Sequence, residues 1–162
     1  MARKRKIRYA ETYDAFYCTI DDWRREYSFG IKYPESRRDT SGRSYVEWDH
    51  VQVVGKIRHH SRGRTTRRRL FETFEVGLCP IHSPRDEWEK DPKDIGGIWM
   101  RREANLGFFI DVPVGAYYSL IHSLSANRFK ELRVTIRNFL YSRGSVDGIA
   151  FNSEETPSEE MY

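Results

Sequence analysis

Asp49-His50 and His59-His60 flank one apolar segment, and Cys79-Pro80-Ile81-His82 has the C-x-x-H spacing found in half of some zinc sites. The other half is missing. Cys18 is the one further cysteine and no H-x-x-x-H accompanies it, so neither a metal site nor a cofactor is expected. A pair drawn from Asp49, His50, His59 and His60 would offer general-base chemistry of the hydrolase type. Neighbours on a strand face opposite ways, however, so His59 and His60 cannot both serve one site. The phosphate-loop, dinucleotide and nucleophile-elbow glycine patterns are all absent, which removes the usual NTPase, dinucleotide-binding and α/β-hydrolase classes. The paired carboxylates Asp21-Asp22 and Glu154-Glu155 fall in a predicted turn and in the C-terminal tail, where nothing would hold them at glycosidase spacing. No catalytic residue is assigned.

The strongest binding signal is basic. Arg62, Arg64, Arg67, Arg68 and Arg69 cluster between two predicted strands, with Gly63 loosening the connection. At a hairpin tip they could neutralise phosphates or pair bidentately with carboxylates, and Arg3, Lys4, Arg5 and Lys6 could add to the same field. The bland alternative is a solvated charged loop, with the acidic tail as an internal counter-charge. Residues 1–69 carry 18 Lys and Arg against 9 Asp and Glu, whereas residues 70–162 carry 10 against 15, so the excess of positive charge lies in the first half. No zinc finger, helix-turn-helix or RNP-type aromatic motif accompanies it.

The elements that must position these groups read as strands. Leu132, Val134 and Ile136 alternate with Arg133, Thr135 and Arg137, the period of a half-buried strand. Apolar or alternating runs at 45–58, 68–78, 95–100, 106–112 and 146–151 read likewise, and 15–20 with 27–33 reads as a hairpin about a turn at 21–26, the alternative being a helix on which Tyr13, Phe16, Tyr17 and Ile20 share a face. One helix is predicted over 114–125, where Tyr117, Leu120, Ile121 and Leu124 recur at helical spacing and Asn127 follows as the stop. Tyr118, about 100° from that stripe, is the candidate partner-surface residue, because tyrosine is enriched at interface hot spots. The expected fold is mainly β: an antiparallel sandwich or open barrel of about seven or eight strands with one short helix.

At 162 residues, 38% hydrophobic and 14% aromatic, the chain suits one domain at 9–151, preceded by a basic arm at 1–8 and followed by a disordered acidic tail at 152–162. No apolar run reaches the roughly 20 residues that span a bilayer, and the basic start lacks a secretory core, so a cytoplasmic protein with free thiols is expected. Together these features point to a non-catalytic binding or adaptor domain acting through the arginine tip and an aromatic surface. The alternatives are nucleic-acid or other polyanion binding, an acidic protein surface as partner, a His/Asp enzyme, and an assembly subunit whose exposed strand edges pair with copies of itself.

Overall fold

The computed structural model describes residues 12–32, 44–61, 71–81, 95–102, 104–140 and 143–157. Seven strands and one helix follow in chain order: β1 Tyr13–Lys32, β2 Ser44–Ser61, β3 Thr73–Ile81, β4 Gly96–Arg102, β5 Asn105–Pro113, α1 Val114–Ser125, β6 Glu131–Leu140 and β7 Arg143–Asn152. The strands close into a barrel in the order β1-β2-β3-β5-β4-β7-β6, with β6 returning to β1. The mainly β, seven-stranded expectation is met, and closure leaves few strand edges exposed. All pairs are antiparallel except β3 with β5, which run parallel because β4 lies between them in sequence but pairs on the far side of β5. The seam between β4 and β7 is narrow, with Gly96 opposite Val146 and Gly97 opposite Ser145.

Alternation fills the interior. Phe74, Val76 and Leu78 of β3, Leu106, Phe108 and Ile110 of β5 and Leu132, Val134 and Ile136 of β6 are buried, each contributing about 1.5–3 kcal/mol by removal from water. In β2 the even residues Trp48 and His50 turn outward and the odd residues Val51 and Val53 inward. Gly55 marks a close crossing of strands: a Cβ there would collide with the carbonyl oxygen of Thr19 and lie 2.7 Å from the Phe74 ring. The helix matches its predicted bounds. It ends in a Schellman-type stop, with Asn127 at φ 50°, Arg128 N–H donating to Ser123 O at 3.0 Å and Asn127 N–H to Leu124 O at 2.9 Å.

Residues 15–33 do not form the expected hairpin. The segment Asp21-Asp-Trp-Arg-Arg-Glu26 continues as strand inside the 20 residues of β1, because β2 pairs with it throughout. No glycine or proline is present to turn it. Its polar side chains are used across the sheet instead: Arg24 donates to Gln52, and Gln52 to Glu75, a ladder over β1, β2 and β3. A register shift between Ile20 and Asp22 absorbs one extra residue as a bulge.

The start of the acidic tail lies against the barrel. Glu131, fully buried, accepts from Arg58 Nη1 at 3.2 Å, from Asn152 Nδ2 at 3.1 Å, and from Thr156 through both its N–H at 3.1 Å and its hydroxyl at 2.5 Å. Glu155 also pairs with Arg58, at 2.9 Å. A buried carboxylate needs several donors, and the segment at 153–157 supplies part of that set. Residues 158–162 lie outside the described residues.

Candidate partner-binding surface

β1 and β2 outgrow the barrel. β6 pairs with β1 only from Tyr13 to Thr19, and β3 pairs with β2 only from Val51 to Lys56. From Asp21 to Lys32, β1 therefore has β2 on one side and, among the described residues, no strand on the other. The outer halves of β1 and β2 form a two-stranded arm whose inner face continues the face that lines the barrel core.

Period two decides what that face carries. Trp23, Arg25, Tyr27, Phe29 and Ile31 share it, the first four opposite Val53, Val51, Asp49 and Glu47 in register. Near the barrel it is covered, since Trp23 packs on the core and Asp49 is buried. Further out it reaches solvent: Tyr27, Phe29 and Ile31 are 56%, 62% and 48% exposed. Single exposed apolar residues are ordinary, but three in a row on one face beside an open strand edge form a patch.

A part-buried charge cluster fixes the base of the arm to the helix. Arg25 grips Asp49 bidentately, Nε to Oδ1 at 2.9 Å and Nη2 to Oδ2 at 2.7 Å, and the Tyr117 hydroxyl donates to the same Oδ1 at 2.8 Å. The hydrogen bond from Arg25 holds the Asp49 carboxyl below its ordinary value, against the opposing effect of burial. Burial and the bond to Asp49 push the Tyr117 phenol up. The guanidinium of Arg25, whose side chain is 35% exposed, also lies 5.7 Å from the ring centres of both Tyr27 and Tyr118, so two aromatic rings flank the charge. Tyr118, 49% exposed, thus stands at the inner end of the patch.

The remaining candidates disperse. Asp49 and His50 face opposite sides, and His50 accepts from Trp48 Nε1 at 2.8 Å on the outer face of the arm. His60 Nε2 meets the buried Asp14 at 2.9 Å and stacks on Phe16 at 4.1 Å, while His59 lies beside Tyr17. Cys18 is buried, Cys79 is half-buried, both are free thiols, and burial raises the pKa of each. No group of three potential metal ligands occurs among the described residues. His82, the arginines Arg62, Arg64, Arg67, Arg68 and Arg69, and the arm Arg3, Lys4, Arg5 and Lys6 lie outside the described residues. Within the described residues, no helix is long and apolar enough to cross a membrane.

Tyr27, Phe29 and Ile31 were hidden in the sequence because an alternating apolar run looks the same whether its greasy face is buried or bare. The exposure follows from length: β1, at 20 residues, outruns its second neighbour β6, at 10. Neither any protein-family model nor any curated protein or solved structure matches this chain.

Proposed function

We propose that this chain is a non-catalytic binding module that acts by strand addition at the β1 edge of the arm, and that the strand it takes is the same edge of a second copy. The observation that carries this reading is the exposed strip Tyr27, Phe29 and Ile31 beside an edge that, among the described residues, pairs with no further strand from Asp21 to Lys32. Backbone groups along an open edge supply affinity and the alternate side chains supply specificity.

Symmetry narrows the register. Two antiparallel copies related by a two-fold axis normal to the sheet must place one residue opposite itself. The centre of the open edge offers Glu26 or Tyr27. Glu26 would face its own charge, which is unfavourable, whereas Tyr27 would face an aromatic ring. Pairing about Tyr27 sets Trp23 opposite Ile31 and Arg25 opposite Phe29 on the apolar face, with Asp22 opposite Lys32 at the ends. No like charges meet. Phe29 of the second copy then arrives beside Arg25 and Tyr118, and the two arms become one four-stranded sheet with a shared apolar face.

Sedimentation of the full chain over a concentration series tests this. The expected result is a species of twice 19.3 kDa that Phe29→Asp returns to 19.3 kDa with unchanged circular dichroism. In a Cys79→Ser background, Tyr27→Cys should form an interchain disulfide on mild oxidation, since only pairing about this residue brings the two thiols together. A monomer at every concentration that fails to cross-link, or a dimer indifferent to Phe29→Asp, overturns the reading.

A further inference from the structure

On another side of α1 a groove of about 470 Å³ runs between the helix and the ends of β5 and β7. Its volume lies within the range of small-molecule sites. Ala116 and Leu120 of the helix form one wall, and Phe129, Ile149 and Phe151 the other, with the two phenyl rings 5.2 Å apart. Among the described residues, Asp111 of β5 is the one ionisable residue in its lining.

Asp111 is out of keeping with its surroundings. Its backbone N–H is used, donating to Ile95 O at 2.7 Å, but its carboxyl has no hydrogen bond or ion pair among the described residues. The other half-buried and buried acids contrast with it: Asp49 has Arg25, Asp14 has His60, and Glu131 has Arg58. Burial alone raises the Asp111 pKa, the mark of a carboxyl that gives up water and receives nothing in return. A carboxylate kept in an apolar groove is complementary to a cation that carries an apolar body.

We infer that this groove binds an amphipathic amine, its ammonium on Asp111 and its hydrocarbon or aryl body between Leu120, Phe129 and Phe151. The carboxylate supplies selection by charge, since an alcohol or a carboxylic acid of the same shape would leave Asp111 unpaired or repelled. The helix side of the groove also carries Ser119 and Ser123. The Ser119 hydroxyl donates back to Gly115 O at 3.0 Å.

Calorimetric titration at neutral pH with phenylbutylamine, phenylbutanol and phenylbutyrate tests the assignment. The amine should bind best, and Asp111→Asn should weaken it by about tenfold or more while leaving the alcohol unaffected, as loss of a charge-assisted hydrogen bond requires. Ala116→Trp, at an exposed position on the groove wall, should block all three by filling the space. The inference fails if none of the three binds, if the acid binds as well as the amine, or if Asp111→Asn leaves amine affinity unchanged. Because Asp111 and Ala116 lie outside the arm patch, this outcome is independent of whether the arms pair.

Discussion

The Tyr117 hydroxyl and Asp49 Oδ1, 68 positions apart in sequence, stand 2.8 Å apart across the junction of helix and arm. That bond ties the first turn of α1 to the last buried residue of β2 before the arm leaves the barrel. Tyr117→Phe removes only the donor and should cost about 1 kcal/mol. Asp49→Ala strands both Arg25 and Tyr117 and should cost about 2–4 kcal/mol, towards the lower end because Arg25 can turn to solvent. Urea unfolding of the two variants and their double mutant checks this, and a coupling energy near zero would mean the two groups do not act together.

Asp49 and Asp111 should give stability opposite pH dependences. The Asp49 pKa is lowered in the folded state, so its contribution is complete above the unfolded value near 3.8 and is lost as pH falls through the lower folded value. The Asp111 pKa is raised, so ionising it weakens the fold as pH rises from about 3.8 through the folded value. Asp111→Asn should therefore stabilise the protein at neutral pH and lose that advantage in acid, whereas Asp49→Asn should destabilise at neutral pH and converge on the parent only in strong acid. Thermal melts from pH 3 to pH 8 of the three proteins would separate the two behaviours.

Gly55→Ala should be among the most damaging single substitutions, at about 3 kcal/mol or more, because the added methyl meets the Thr19 carbonyl, which as backbone cannot swing away, as well as the Phe74 ring. Gly30→Ala, on the arm with open space around its Cα, should be close to neutral. Comparing the two by chemical denaturation isolates the strand crossing from the general effect of losing a glycine.

The bonds from Thr156 to Glu131 make the tail part of the domain's stability. Thr156→Ala leaves the buried carboxylate with fewer donors and should cost about 1–2 kcal/mol. Glu131→Gln should cost more, since Arg58 then loses its buried partner. If both prove neutral in denaturant melts, water replaces these contacts at no cost.

What could be read from the sequence followed local periodicity. The helix at 114–125 and the strand holding Leu132, Val134 and Ile136 have patterns that one segment alone decides. The parallel pairing of β3 with β5 had no local signature, because it depends on where β4 was threaded. The turn expected at Asp21–Glu26 was a misreading of polarity: Arg24 bonds across the sheet to Gln52 on the outer face, and Arg25 to Asp49 on the inner one. The Asp49 cluster was half visible. Asp49 and Tyr117 were each singled out, one as a possible base and one as core, but their contact belongs to the fold, and Arg25 was lost inside the supposed turn. Asp111 gave no signal at all, since an acid at the end of an apolar strand ordinarily faces water.

The two register pairs between β4 and β7 make this ring unequal around its circumference. A belt opens at its buckle. β4 brings glycines to that joint, so few side chains grip across it, and Ile95 adds one backbone bond to Val146. Amide protons at Ile95 and Gly97 should exchange earliest among the barrel ladders, well before those of β1 and β2 inside the barrel, and the wall would then swing outward along β5. The groove beside Asp111 borders that hinge through Ile95 and Ile149, so whatever occupies the groove would also hold the clasp shut.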